Sequence, residues 1–225
     1  MARVVLITRN EKFAVRTKQD LLKSNIKSAL LPIFQVENFQ LNVEEFKNRT
    51  LLITSRNALN SLTIKKLKEI NKKNRFLLVG ESFYFYLKEQ GVLNVEYFTN
   101  SKELLTHITK EESTYHYLRG ELVNLDFKQY VENITEQISY NINYFPIGKN
   151  QLEDFIVKYK ITDLIFFSQE NAKYFIANIE KKILKELNIF CLSARIAEVF
   201  TAFSKNVIYP ETPTYNNLLK CLVSH

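Results

Sequence analysis

LLITSRNALNSL, residues 51–62, begins as an unbroken apolar run, turns polar at Thr54, Ser55, Arg56 and Asn57, and resumes with apolar residues at helical spacing. An apolar run without alternation fits a strand covered on both faces, as in parallel sheets, and the polar break fits its handover to a helix. The same shape recurs. Displacing the chain on itself by about 113 residues lays this stretch over LIFFSQENAKYF, residues 164–175, with Ser55 on Ser168 and Ala58 one step short of Ala172.

The displacement also lays FLLVGESFYFYL (76–87) over IFCLSARIAEVF (189–200), with Gly80 on Ser193, and brings VEYFTNSKELLTHI (95–108) near VIYPETPTYNNLLKCL (207–222). Three segments repeat in one order, each ending its strand on a small or polar residue. An internal duplication with two similar lobes is the expectation. RVVLIT (3–8), TLLIT (50–54), FLLVG (76–80), YHYLRG (115–120), DLIFFS (163–168) and IFCLS (189–193) read as strands, with helical segments such as ESFYFYLKEQG between them. That alternation predicts an α/β fold of parallel sheets. RVVLIT has no equally clear partner at the common displacement. PIFQVENF (32–39) and YFPIG (144–148) are extended, proline-marked segments. They suggest a discontinuous plan: lobe one from 1–35 plus 148–225, lobe two from 38–143, and hinge strands at 33–38 and 142–148.

The 225 residues, 46% of them hydrophobic, are enough for one large core or two small ones. A net charge of +7 points to an anionic partner of some class (nucleic acid, acidic membrane or acidic small molecule) or to a generally basic solvated surface. KKLKEINKKNR (65–75) carries Leu67 and Ile70 at helical spacing and reads as a solvated helix face. Cys191 and Cys221 form no CxxC pair and suit a reducing cytoplasm. The apolar run in MARVVLITRN is too short for a signal-peptide core or a membrane span, so a soluble, unexported protein is expected.

Four glycines cannot build a dinucleotide fingerprint or a P-loop. His107, His116 and His225 show no ligand spacing, so no metal is expected, and no GxSxG or Cys/His signature surrounds Ser55, Ser168 or Ser193. SFYFYL (82–87) reads as a core-facing helix rather than a ligand-stacking wall.

In an open parallel sheet, ligands bind beyond the carboxyl ends of the strands, where the first NH groups of the following helices lack intrahelical partners. Thr8, Ser55, Gly80, Gly120, Ser168 and Ser193 fall at such ends, with Arg9, Arg56 and Arg119 beside them. Singly, such a hydroxyl is a helix cap and such an arginine a surface ion-pair partner. Jointly they predict a cleft for a polyanion, because fixed NH groups and guanidinium forks suit carboxylates and phosphates.

These residues resemble the uroporphyrinogen-III synthase family over almost the whole chain. VLITRN is similar to the family's opening strand with its Thr-Arg pair, although Asn10 stands where many members have proline. LLITSRNAL resembles its Thr-Ser-x-x-Ala turn, LLVGES its Val-Gly segment and YLRG the Leu-Arg-Gly of many bacterial members. FFSQENAKYF, CLSARIA and PETPTYNNLL resemble the Ser turn, the Leu-Ser-x-x-x-Ala helix start and the Pro-Thr segment of the second half.

The resemblance implies two flavodoxin-like lobes joined by a two-stranded connector. It implies an enzyme that cyclises hydroxymethylbilane, a linear tetrapyrrole with eight carboxylates, to uroporphyrinogen III, losing water and inverting ring D. No metal or organic cofactor is implied, and the family suggests a cytoplasmic monomer without nucleic-acid or membrane partners. Carried over residue by residue, substrate contacts fall at Thr8, Arg9, Thr54, Ser55, Arg56, Asn57, Gly80, Glu81, Ser82, Ser168, Gln169, Ser193, Ala194 and Thr214. Tyr144 in NYFPIG resembles a tyrosine proposed to help the hydroxyl leave, with a hinge-packing role as the alternative. Where many members place a threonine near the Val-Gly, this chain has Phe83, with Ser82 the nearby hydroxyl. Two rival classes are a two-lobed anion-binding module without chemistry and a basic nucleic-acid-binding protein; for the latter the sequence shows no helix-turn-helix, RRM or zinc signature.

Overall fold

The computed structural model describes residues 3–123, 125–148 and 150–225. The chain runs β1 (Val4–Ile7), α1 (Glu11–Lys23), β2 (Lys27–Leu30), β3 (Phe34–Asn38), β4 (Thr50–Ile53), α2 (Ile64–Asn71), β5 (Phe76–Val79) and α3 (Glu81–Glu89). It continues with β6 (Val95–Phe98), α4 (Ser101–Ile108), β7 (Tyr115–Gly120), β8 (Ile134–Tyr144), α5 (Gln151–Tyr159), β9 (Asp163–Phe166) and α6 (Gln169–Ala177). The last elements are β10 (Asn188–Cys191), α7 (Ala194–Ala197), β11 (Val207–Ile208) and α8 (Tyr215–Ser224). Among the described residues no helix is long and apolar enough to cross a membrane.

The chain divides into two compact units, Met1–Gln35 with Asn143–His225, and Val36–Ile142. The first carries a five-stranded sheet in the order β11-β10-β9-β1-β2, all of whose pairings are parallel. Numbered within the unit, the strands run 2-1-3-4-5, the flavodoxin-like order. The second carries β3-β8-β7-β4-β5-β6, with β8 through β6 parallel. Counted from β7, those five strands have the same 2-1-3-4-5 order. At the sheet edge β3 runs against β8: Phe39 NH bonds Ser139 O at 2.9 Å and Phe145 NH bonds Ile33 O at 3.0 Å.

The displacement seen in the sequence is also a register. Leu51, Leu52 and Ile53 pair with Phe76, Leu77 and Leu78 as Leu164, Ile165 and Phe166 pair with Ile189, Phe190 and Cys191. The matching order makes β7 the counterpart of β1 and β8 that of β2. The sequence copies and the structural units therefore differ. The first unit combines β1 and β2 of the first copy with β9 to β11 of the second, and the other unit holds the complementary halves. RVVLIT does have a partner, YHYLRG, hidden because its apolar positions are filled by Tyr115, His116 and Tyr117, all buried.

Both faces of each sheet are covered, which is why the strands read as continuous apolar runs. In the second unit Leu51, Ile53, Phe76, Leu78 and Leu118 face one cluster, while Leu52, Leu77, Tyr115 and Tyr117 face another. In the first, Val5, Ile7, Ile165 and Phe190 pack with Ala14 and Leu21 of α1 and with Leu218 and Leu222 of α8. At the opposite edge from the strand ends, the fully buried Asp163 carboxylate takes both Nε and Nη2 of Arg3 at 3.2 Å, Asn188 Nδ2 at 2.9 Å and Thr162 Oγ1 at 2.7 Å. Arg3 Nη1 continues to Leu222 O at 2.7 Å, tying α8 to the sheet.

Candidate functional site

Parallel pairing brings the carboxyl ends of a unit's strands to one edge, and most sequence-predicted residues lie there. In the first unit the loop after β1 carries Thr8, buried, and Arg9. Arg9 Nη1 donates to Thr17 Oγ1 at 3.3 Å, and its guanidinium lies over the rings of Phe167 at 3.9 Å and Phe13 at 4.9 Å. Phe167 in turn stacks on Tyr215 at 5.9 Å. Burial pushes the Tyr215 phenol upward, and its hydroxyl donates to Asp20 Oδ2 at 3.0 Å. Arg9 is thus a preset cation on an aromatic bed.

After β9, Ser168 caps α6, its Oγ accepting from Asn171 NH at 3.3 Å. Gln169 exchanges two hydrogen bonds with Arg195: Arg195 Nε donates to Gln169 Oε1 at 3.2 Å, and Gln169 Nε2 donates to Arg195 O at 3.3 Å. Ser193 precedes α7 without a side-chain cap bond, and Ala194 begins that helix exposed. Thr214 caps α8 through Asn217 NH at 3.2 Å. Tyr144, at the end of β8, donates to Asn171 Oδ1 at 2.9 Å and stacks on Tyr174 at 4.3 Å. Tyr144 and Ser168 are therefore brought together through one residue.

In the second unit Thr54 follows β4 and its Oγ1 lies 2.9 Å from the Tyr117 hydroxyl, whose pKa burial pushes up to about 12, with that bond acting in the opposite direction. Ser55 caps the short turn Arg56–Leu59 through Asn57 NH at 3.3 Å. Arg56 lies over the Tyr86 ring at 3.5 Å. Gly80, at φ 102°, holds a backbone shape that side chains rarely adopt and starts α3 with no side-chain cap. Glu81 accepts from the Tyr97 hydroxyl at 3.2 Å, and Ser82 follows it, half-buried.

The caps sort these loops chemically. Asn100 accepts from the NH groups of Lys102 and Glu103, while Glu103 folds back on Thr99 NH at 2.9 Å, so the loop after β6 already holds its own carboxylate. The helix starts after Gly80 and Ser193, matched by the repeat, have no side-chain acceptor on their first NH groups; the first-turn carboxylate of α3, Glu81, is turned to the Tyr97 hydroxyl, and α7 has no acidic residue in its first turn. Arg119 is spent inside its unit, on Glu136 at 3.4 Å and on the carbonyls of Gly120 and Glu121. Phe83, in the place of the expected threonine, is buried in the core.

The sequence left unnoticed the residues that hold the others: Asn171, Tyr174, Phe167 and Tyr86. Only Asn171 carried a signal, standing three residues after a cap serine. Among the described residues no three His, Cys, Asp or Glu side chains come together in a way that could hold a metal ion.

No family model matches the chain, and no curated protein matches it significantly. Solved structures do. The uroporphyrinogen-III synthetase of Helicobacter pylori is 16% identical, with 100% of this chain and 99% of that one covered and a TM-score of 0.56. The uroporphyrinogen III synthase of the extremely thermophilic bacterium Thermus thermophilus is also 16% identical, with 100% and 97% covered and a TM-score of 0.54. A selenomethionine mutant of that enzyme gives a TM-score of 0.60, with 98% and 96% covered at the same 16% identity. The chain has the fold of these enzymes from end to end.

Proposed function

We propose that this chain is a uroporphyrinogen-III synthase, cyclising hydroxymethylbilane to uroporphyrinogen III with loss of water and inversion of ring D. One observation carries the reading. In each unit the strand-end edge offers an uncapped helix start, at Gly80 and at Ser193, together with a stacked arginine, Arg56 or Arg9. Fixed NH donors and guanidiniums at several separate points suit a ligand that carries many carboxylates.

The chemical task is selection of a conformation. The hydroxymethyl carbon–oxygen bond breaks as a proton reaches the leaving oxygen, giving water and an electrophilic azafulvene. The substituted carbon of ring D attacks that carbon, forming a spiro intermediate that opens at its other bond and recloses, and a ring proton is lost. Spontaneous closure takes the uninverted course. Holding the carboxylates so that the substituted carbon is the nearer nucleophile is what this protein supplies.

In this reading Thr8, Arg9, Thr54, Ser55, Arg56, Asn57, Gly80, Glu81, Ser82, Ser168, Gln169, Ser193, Ala194 and Thr214 contact substrate, several through backbone NH alone. Tyr144 delivers the proton to the departing oxygen and recovers one when ring D rearomatises. Residues 33–38 and 142–148 serve as the hinge, and the protein works as a cytoplasmic monomer without a cofactor. A second reading, an anion-binding module without chemistry, draws on the Tyr144 hydrogen bond: its proton points to Asn171.

The deciding experiment generates hydroxymethylbilane in situ, adds the purified protein, oxidises the products and separates isomers I and III. Predominant isomer III is expected. Isomer I alone, at the rate seen without protein, would leave the binding module.

A further inference from the structure

We infer that Arg195 is a carboxylate-binding residue of the first unit, the counterpart of Arg56 in the second; the inference rests on the reading of the chain as an enzyme for a polycarboxylate.

The Arg195 side chain is held without being neutralised. Its Nε donates to Gln169 Oε1 at 3.2 Å, and the same amide returns a bond from Nε2 to Arg195 O at 3.3 Å. This two-bond ring joins the loop after β9 to the loop after β10. It occupies Nε and leaves the pair of Nη groups, an edge of the fork that can still donate to both oxygens of one carboxylate. Arg3, Arg16, Arg75 and Arg119 each pair with a carboxylate of their own unit. Among the described residues no such ion pair reaches Arg195, which is exposed. A neutral glutamine therefore fixes the guanidinium while its full charge stays available.

The repeat supplies an independent observation. The displacement that lays Ser55 on Ser168 lays Arg56 on Gln169 and Ser82 on Arg195. In the second unit Arg56 leaves the loop after β4 and lies over Tyr86 of α3, the helix after β5, at 3.5 Å. In the first unit Arg195 leaves the loop after β10 and reaches back to the start of α6. Each unit thus uses one guanidinium to join the segment after one strand to the segment after its neighbour, supplied from opposite sides: Arg56 reaches Tyr86 within α3, and Arg195 reaches Gln169 at the start of α6. The resemblance directs attention to Gln169, Ser193 and Ala194; the geometry points to the next residue as the one that carries charge.

The test compares Arg195→Gln and Arg195→Lys with wild type and with Lys185→Gln, which removes an exposed charge from the turn before β10. Two quantities are read: KM and kcat for isomer III formation, and the Kd of uroporphyrin III, an octacarboxylate, by fluorescence titration. Arg195→Gln should raise both KM and Kd about fivefold or more, with kcat little changed. Arg195→Lys should recover part of the loss and Lys185→Gln should match wild type. A Kd in Arg195→Gln within about twofold of wild type overturns the inference, as does wild-type protein that does not bind uroporphyrin. Wild-type protein that binds uroporphyrin yet forms only isomer I overturns the proposed enzyme, and the Kd comparison still decides the role of Arg195.

Discussion

The Tyr144 hydroxyl donates to Asn171 Oδ1 at 2.9 Å, and the backbone NH of Asn171 is itself bound by Ser168 Oγ at 3.3 Å. A nearly buried amide therefore links the strand end that carries Tyr144 to the cap of α6. The ring of Tyr144 is held separately, by Tyr174 at 4.3 Å and Phe34 at 5.8 Å. Hydroxyl and ring can thus be tested apart.

Tyr144→Phe keeps the stacking and removes only the proton donor. Its stability cost should be about 1 kcal/mol, that of one hydrogen bond. If the hydroxyl delivers the proton, kcat for isomer III should fall about a hundredfold, the lower range for general acid catalysis, with KM little changed. An unchanged kcat would make Tyr144 a packing residue.

Arg9 and Ser55 test the strand-end edges. Ser55→Ala removes the cap of the turn Arg56–Leu59 and should cost about 1 kcal/mol in urea unfolding. Arg9→Ala leaves the Phe13 and Phe167 rings uncovered and should raise KM for hydroxymethylbilane about tenfold, the loss of one charge-assisted contact. Both variants should melt as single folded species by circular dichroism. Full activity in both would move the substrate elsewhere.

Gly80 and Gly120 end two strands of the second unit for different reasons. At Gly80 an added Cβ would meet open space, and the obstacle is the backbone at φ 102°. At Gly120 the added Cβ would stand 2.8 Å from the Tyr140 ring. Each substitution to alanine should cost about 1–3 kcal/mol, from strain in one and overpacking in the other. In a Tyr140→Leu background the Gly120→Ala cost should shrink while the Gly80→Ala cost persists. Equal costs in both backgrounds would refute the steric account of Gly120.

The sheets were legible wherever burial on both faces left an apolar signature. TLLIT, FLLVG and DLIFFS became β4, β5 and β9 with their ends shortened by one or two residues, because the small or polar terminal residue had already entered a cap or turn. β2 was not legible: it is an edge strand whose Lys27 and Ser28 face out or lie half-buried. β8 escaped as well, since ITEQISYNINY mixes buried and half-exposed residues along its length and never forms an apolar run. At the strand ends the sequence located hydroxyls and arginines, because caps and termini leave local patterns. It did not reveal that Arg119 is neutralised by Glu136, or that Arg9 lies on Phe167, since partners separated by many residues leave no local spacing to read.

Removing the Asp163 carboxylate should be the most damaging single change in the first unit. Asp163→Ala leaves the Arg3 guanidinium with the Leu222 carbonyl and the Phe190 ring but no counter-charge, and strands the Asn188 amide donor, while Thr162 keeps its bonds to Val4. Breaking one side of a buried ion pair costs about 3–5 kcal/mol, which urea unfolding would register as a lower midpoint. A loss below about 1 kcal/mol would show that solvent replaces the carboxylate at that edge.

His116 sets an acid limit on the second unit. Its side chain is fully buried, with Nδ1 2.7 Å from Thr135 Oγ1 and its ring 5.2 Å from Phe46. Burial pushes the imidazole below its ordinary range, with Arg49 adding to the effect and Glu45 and Gln137 opposing it. The native state therefore keeps His116 neutral at a pH where the unfolded chain, titrating near about 6.5, takes up a proton. The stability that neutral His116 contributes is complete above that pH and is lost as the pH falls toward the depressed native value. Tm should accordingly be lower at pH 5.5 than at pH 7.5. His116→Phe fills the same space without a titrating group, so its Tm should fall less over that interval, whatever its absolute stability. An identical fall in both proteins would place the acid response in groups other than His116.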